Sequence, residues 1–521
     1  MKATLAAILA LVSVASAQNV LRLNLNRGVP GIRRGKPFPL SRRETFTQMT
    51  VNNITGGGYY VEVQVGTPPQ TMSMVLDTGS SDAWVVSHEA ELCTSRSLQR
   101  ASGDSCGGTY NPDDSSTYKL VTKDGFSIKY LDQTAANGDY ISDNFGIGGA
   151  TIKGLQMGLV TDTVRGTGIL GVGFSSAEST DEIYPNLIDQ FLDQGLITSK
   201  AYSLWLNDRR SPSGTILFGG IDTDKFIGPL NHLDILKTTR GQYTAFAVAM
   251  SSLTVTNSKG QTNSAGAAIP AILDSGTTLS YLPGDMTTNV FTSLNVYTDD
   301  ASTGLSLIDC KYLTKDPDLV FTFVFGKDTA TASIDVPVYE MVLDILGGYE
   351  DLLPSDIPFD DVCVFGLQST DGFGDSGGAG TFALLGDTFL RSAYVVYDLD
   401  HKQIGIAQAN LNSSTEDDGN SGAKNIVELN ADDDGLPDVT GVAAQQTTYV
   451  PPSPTATGSG SATGGGSGSG GGGGGRATVT VTPSPTNGVA AGIIGGPGLD
   501  GLAVVALAGV FAVVGGTLFV L

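Results

Sequence analysis

One pattern occurs twice in this chain, and it limits the fold more than anything else in the sequence. Met74-Val75-Leu76-Asp77-Thr78-Gly79-Ser80-Ser81 and Ala271-Ile272-Leu273-Asp274-Ser275-Gly276-Thr277-Thr278 both run from an apolar stretch into an Asp, a hydroxyl residue, a Gly and further hydroxyl residues. Each is followed at long range by an apolar pair and a glycine, Ile169-Leu170-Gly171 and Leu384-Leu385-Gly386. Such self-similarity predicts two like folding units, each presenting one aspartate at the end of a hydrophobic strand.

The residue types suit one kind of chemistry. The apolar strand buries the approach to the carboxylate. Glycine lets backbone N–H groups come close to it, and Thr78, Ser80, Ser275 and Thr277 can hydrogen-bond around it. If Asp77 and Asp274 meet across a cleft they cannot both ionise easily, so they share one proton. The ionised member can then deprotonate a water, and the protonated member can support the oxyanion formed on a carbonyl. This needs no metal and no organic cofactor.

The body carrying the repeat, about 44–410, reads as β. Tyr59-Tyr60-Val61-Glu62-Val63-Gln64-Val65 alternates and stops at Gly66-Thr67-Pro68-Pro69. Further short runs lie at 126–130, 214–218, 320–325 and 393–398. Helical periodicity is rare, with one case at 185–194 ended by Gly195. The 521-residue chain has 53 acidic against 29 basic residues and a formal charge of −24, which argues against a nucleic-acid partner. That acidity is compatible with work at low pH, where carboxylates protonate and self-repulsion falls.

Together these segments resemble the pepsin-like aspartic endopeptidases. The opening strand with Gly66-Thr67-Pro68-Pro69-Gln70, the motif Asp77 through Val85, Phe218-Gly219-Gly220-Ile221-Asp222, and Leu385-Gly386-Asp387-Thr388-Phe389-Leu390-Arg391 through Asp398 carry the likeness. It implies an all-β fold of two similar lobes, 44–224 and 225–410, with a peptide-binding cleft between them. By the same resemblance Tyr130 is a flap tyrosine over that cleft and Trp84 its hydrogen-bond partner. Tyr130 is followed by Leu131-Asp132-Gln133, where the family commonly has Gly. Asp132 is the candidate for contact with basic substrates. A monomer acting on peptides or proteins is expected.

The ends carry addresses. Residues 1–17 read as a signal peptide, with Lys2, the apolar run Leu5 to Val14, and Ala15-Ser16-Ala17. Residues 18–43 hold Arg22, Arg27, Arg33, Arg34, Lys36, Arg42 and Arg43 and no acid, and are expected to be a propeptide docked on the acidic body. Residues 411–501 open acidic and turn to Pro, Thr, Ser and Gly, as a flexible stalk would. Within them Asn430-x-Asp432-x-Asp434-Gly435 imitates part of a calcium loop, but Gly441 stands where the bidentate Glu is needed, so the stretch reads as solvated linker. The uncharged tail 502–521 reads as a lipid-anchor (GPI) signal, with Asn487 or Gly488 as attachment site, which would tether the chain to a membrane. Asn53 and Asn412 begin glycosylation sequons. The tail, the stalk and the dibasic processing site Arg42-Arg43 that ends the basic segment narrow the likeness to fungal yapsin-type surface proteases.

Four cysteines in a secretory chain predict two disulfides, Cys93–Cys106 and Cys310–Cys363, rather than zinc, for which clustered ligands are lacking. Gly374-Asp375-Ser376-Gly377-Gly378 imitates a serine-protease nucleophile motif. That chemistry needs a histidine base, and His88, His232 and His401 stand in no matching context. Two other classes of function compete: a peptide-binding wall protein of the same fold without activity, and a purely structural wall glycoprotein. The intact pair of aspartates speaks against the first and the long lobed body against the second.

Overall fold

Alternation along the sequence becomes strands with one wet and one dry face. In Tyr59–Val65, Val61, Val63 and Val65 are buried while Glu62 and Gln64 are exposed. The computed structural model describes residues 19–27 and 58–443, apart from 103–105, 132–133, 212, 258–259, 264–267, 300–303, 327–330, 347–352, 374–381 and 412–424.

The first half carries β1 (Leu21–Arg27), β2 (Tyr59–Val65), β3 (Gln70–Asp77), β4 (Ala83–Val86), β5 (Lys119–Lys129), β6 (Ala135–Ile147), β7 (Ala150–Thr163), β8 (Gly168–Gly171), β9 (Ala201–Trp205), β10 (Ser213–Phe218) and β11 (Gly220–Asp222). The second carries β12 (Phe226–Asp234), β13 (Ala247–Asn257), β14 (Gly260–Asn263), β15 (Ile269–Leu273), β16 (Ser280–Leu282), β17 (Tyr297–Asp299), β18 (Leu305–Asp309), β19 (Val320–Phe325), β20 (Ala332–Pro337), β21 (Val342–Leu343), β22 (Val362–Phe365), β23 (Leu367–Ser369), β24 (Ala383–Leu385), β25 (Ala393–Asp398), β26 (Gln403–Ala409) and β27 (Ile426–Glu428). Helices are few and short. The one read from the sequence runs Leu187–Asp193, where Asn186 caps it by accepting from the backbone N–H groups of Ile188 and Asp189.

The fold is all-β and two-lobed. A 13-stranded sheet runs β12-β26-β25-β9-β10-β1-β2-β3-β8-β4-β7-β6-β5, and an eight-stranded sheet carries the second lobe as β20-β19-β13-β15-β24-β16-β23 with β14 on β13. The expected border at 224/225 is therefore not a sheet border. β12, β25 and β26 come from the second half of the chain but lie beside β9 in the sheet of the first. A single hydrophobic cluster, from Leu23 to Ile406, joins both halves and holds the two aspartate-bearing strands on one rigid base.

One expected boundary needs correction, and one segment is held by more than the charge expected of it. The basic segment is not merely laid on the body by charge, because its residues 21–27 form β1, paired with β10 on one side and β2 on the other. Leu21, Leu23 and Leu25 supply a strand period that a count of basic residues overlooks; Leu23 and Leu25 are buried. Arg22 meets Asp222 at 2.6 Å, and Arg27 donates to the carbonyl of Arg209. The body also extends past Asn410. β27 pairs with β11, Gly228 N–H donates to Val442 O and Leu230 N–H to Val439 O at 3.0 Å each, and Leu429 and Leu436 are buried. The acidic composition hid these apolar anchors, so any stalk starts beyond residue 443. Asp432, Asp433 and Asp434 remain solvent-exposed within this docked segment.

Candidate active site

The repeated pattern folds twice in the same way. β3 ends in Asp77 and runs parallel to β8, with Asp77 opposite Gly171; β15 ends before Asp274 and runs parallel to β24, with Leu273 opposite Leu385. The apolar pair and glycine seen at long range in the sequence are thus the strands that flank each catalytic strand. β4 returns antiparallel along β8, and β16 along β24.

The two aspartates meet. A Cβ placed on Gly79 would stand 2.6 Å from Asp274 Cγ, and one on Gly276 would stand 2.6 Å from Asp77 Cγ. Only glycine leaves room for each carboxyl to lie against the opposite loop. Gly79 N–H donates to Asp77 Oδ1 and Gly276 N–H to Asp274 Oδ1, both at 2.8 Å. Ser80 Oγ donates to Asp77 Oδ2, and Thr277 Oγ1 donates to Asp274 Oδ2 at 2.5 Å. Beneath them the loops grip each other. Thr78 Oγ1 accepts from Ser275 N–H at 2.9 Å and donates to Leu273 O at 2.9 Å, while Ser275 Oγ accepts from Thr78 N–H at 3.2 Å and donates to Leu76 O at 2.9 Å. Thr78, Gly79, Ser80, Ser275, Gly276 and Thr277 all lie in this one assembly.

Asp77 and Asp274 are each only 5% exposed. Burial, and next the Asp274 charge, hold the Asp77 carboxyl well above the usual carboxylate range, against the opposing pull of the Ser80 hydroxyl and Gly79 N–H. The pair therefore keeps a proton where an isolated aspartate would have lost it.

Hairpin β5–β6 carries Tyr130 just past β5. The Trp84 indole N–H donates to Tyr130 Oη at 2.8 Å inside an apolar cluster with Phe126, Ile128 and Tyr140. Burial, and then the Asp77 charge, raise the Tyr130 phenol. Arg165 stands 5.2 Å from the Tyr130 ring centre. Asp132, Asn53, Asn412, Asn487 and Gly488 lie outside the described residues, as does the stretch from Gly374 to Gly378. Both disulfides form, Cys93–Cys106 with Cα atoms 5.5 Å apart and Cys310–Cys363 with Cα atoms 5.1 Å apart. The first stands beside the Trp84 cluster and the second in the second lobe.

Sequence reading missed a buried carboxyl in the first catalytic loop. Asp82 is fully buried and accepts from Tyr184 Oη at 2.6 Å, Ser179 N–H at 2.8 Å and Tyr140 Oη at 3.0 Å. The available signal was an acid set between Ser81 and the apolar run Ala83-Trp84-Val85, where a charge has no solvent and must find donors. Glu178 is buried nearby and accepts from Tyr184 N–H at 2.9 Å.

Comparison with known proteins agrees with this geometry. Residues 58–409 match the eukaryotic aspartyl protease family. The chain is 39% identical over 404 residues to a probable aspartic-type endopeptidase, opsB, of Aspergillus fumigatus, covering 75% of each chain. It is 36% identical to an acid protease of Saccharomycopsis fibuligera, over 67% of this chain and 80% of the relative, and 33% identical to candidapepsin of Candida tropicalis, over 69% and 81%. With two mirrored Asp-hydroxyl-Gly loops meeting at one shared dyad, this chain belongs to the eukaryotic aspartyl protease family.

Proposed function

We propose that the chain is a secreted, surface-tethered endopeptidase that hydrolyses peptide bonds at acidic pH with a water held between Asp77 and Asp274. The observation that carries the reading is the reciprocal Thr78–Ser275 grip, which sets two buried carboxyls face to face. With one proton shared, the ionised carboxyl takes a proton from water as the oxygen attacks the peptide carbonyl. The protonated carboxyl stabilises the new oxyanion, and a proton then passes to the departing amine. Hairpin β5–β6 with Tyr130 acts as the flap that encloses the peptide.

The same reading gives cleavage beside Lys or Arg in the manner of yapsin-type enzymes. Its support is the acidic balance of the chain, which draws basic peptides to the cleft, together with Asp132, two positions after Tyr130 in the sequence. Digestion of a diverse peptide library at several pH values, with the products sequenced, tests this. Enrichment of basic residues at the cut, lost in Asp132→Ala, is expected. A pattern of Leu and Phe at the bond, unchanged in Asp132→Ala, would overturn the basic preference.

Truncations test the two ends. Among the described residues no helix is long and apolar enough to cross a membrane, and Leu502–Leu521 lies outside them. Deleting 502–521 is expected to release active enzyme into the medium. Cleavage after Arg43 is expected to raise activity at neutral pH, because the 18–43 segment restrains the enzyme. Continued cell association of the first form, or equal neutral activity of cleaved and uncleaved forms, counts against anchor and propeptide respectively.

A further inference from the structure

The stretch from Asp77 to Trp84 holds hairpin β5–β6 at two heights, and only the upper contact follows from the family likeness. At the turn, Trp84 bonds Tyr130. Lower down, the Asp82 carboxyl bonds the Tyr140 hydroxyl of β6. Tyr140 meets Phe126 of β5 edge-on at 5.3 Å between ring centres, so whatever fixes Tyr140 fixes both strands of the hairpin. The other end of this arrangement is tied to the catalytic strand. Asp82 O accepts from Gly171 N–H at 3.1 Å, and Gly171 is the register partner of Asp77. The same carboxyl also accepts from Ser179 N–H and Tyr184 Oη in the loop after β8, and that loop meets Tyr140 as well, with Ser179 Oγ 3.2 Å from its hydroxyl and the Tyr184 ring centre 5.6 Å from its own. Asp82 is 0% exposed and touches no substrate, yet it links the nucleophile-activating loop to the base of the flap through a single residue.

We propose that Asp82 is a positioning residue for peptide hydrolysis: through Tyr140 it sets how hairpin β5–β6 stands over the dyad, as a second anchor beneath the Trp84–Tyr130 contact. A buried carboxyl suits the task because it accepts from both phenols and a backbone N–H at once. The inference rests on the reading of the hairpin as the element that closes on the peptide.

Two hydroxyl deletions separate positioning from mere stability. Tyr140→Phe and Tyr184→Phe each remove one O–H donor from Asp82, but only Tyr140 belongs to the hairpin. Similar losses of Tm are expected in both. In kcat/KM, Tyr140→Phe is expected to fall about ten-fold or more and Tyr184→Phe less than about three-fold, since a small misplacement of a closing element is costly in rate. Asp82→Asn, which keeps an acceptor oxygen for the phenols, is expected to retain more activity than Asp82→Ala. If Asp82→Ala does not fold, the two tyrosine variants still decide the matter. A Tyr140→Phe enzyme within about three-fold of the parent, or a Tyr184→Phe enzyme equally impaired, overturns the inference. Dead dyad variants beside an unimpaired Tyr140→Phe would refute this inference alone; active dyad variants would refute the hydrolytic reading itself.

Discussion

Asp77→Asn and Asp274→Asn are each expected to fold and to lose proteolysis by roughly 10³-fold or more, within the range that removal of an acid–base partner costs. The amide keeps the size of the side chain and can still accept from Gly79 N–H or Gly276 N–H, so the loops should stay in place. What disappears is the shared proton. An amide can neither take a proton from water nor give one to the leaving amine, and one carboxyl alone cannot do both. The loss should fall on kcat with little change in KM, because the peptide is held by the cleft and not by the dyad. A pepstatin-like mimic of the tetrahedral intermediate should inhibit the parent, whereas serine-directed reagents should not. Near-parental activity in either variant, with Tm unchanged, would remove the dyad assignment.

What made this site readable was that its parts are local and repeated. An apolar run ending in Asp-hydroxyl-Gly forces a buried carboxyl ringed by donors, and seeing it twice predicts that the two face each other. The Trp84–Tyr130 contact followed from the resemblance to the pepsin-like family, and the disulfides from four cysteines spaced in two local pairs. The features that escaped it depend on partners far away in the chain. Asp82 gains its meaning from Tyr140 and Tyr184, which are 58 and 102 residues distant. β1 is hidden from a reading by charge because its strand period rests on three residues, Leu21, Leu23 and Leu25, inside a segment dominated by arginine and lysine. β27 and the segment after it were obscured by acidic composition, although Leu429 and Leu436 sit in a buried cluster with Trp205 and Phe226. In both cases charge was read as a property of the whole segment, while a few alternating apolar residues decided where it lies.

The same buried acids predict a steep loss of stability toward alkaline pH. Burial raises four carboxyls: Asp77 and Asp82 upward from the usual range, Asp387 to about 7 and Glu178 to about 9. For Asp387 the pull of Arg391 and Arg27 opposes burial without cancelling it. A carboxyl whose folded-state pKa lies above its unfolded value favours the fold while protonated. Its contribution is complete below the unfolded value, near 4, and drains away as pH rises through the folded value. All four carboxyls move in this direction, so their effects add, and the window opens near pH 4 and closes at about pH 7 for Asp387 and about pH 9 for Glu178. Besides burial, the charges that raise Glu178 are those of Asp82 and Asp189, so its ionisation adds like-charge repulsion to desolvation. A tenfold change in proton affinity between the folded and unfolded chain is worth about 1.4 kcal/mol, so a loss of several kcal/mol is expected across the window. At roughly 2–4 °C per kcal/mol, the melting temperature should fall on the order of 10 °C between pH 5 and pH 9. Glu178→Gln, which cannot ionise, should flatten the upper part of that fall while leaving the value at pH 5 little changed. Melting curves of the parent and of Glu178→Gln across pH 4 to 9 make the comparison. A parent as stable at pH 9 as at pH 5 would mean that these carboxyls are compensated in the fold, and a Glu178→Gln curve parallel to the parent's would move the cause to the other three.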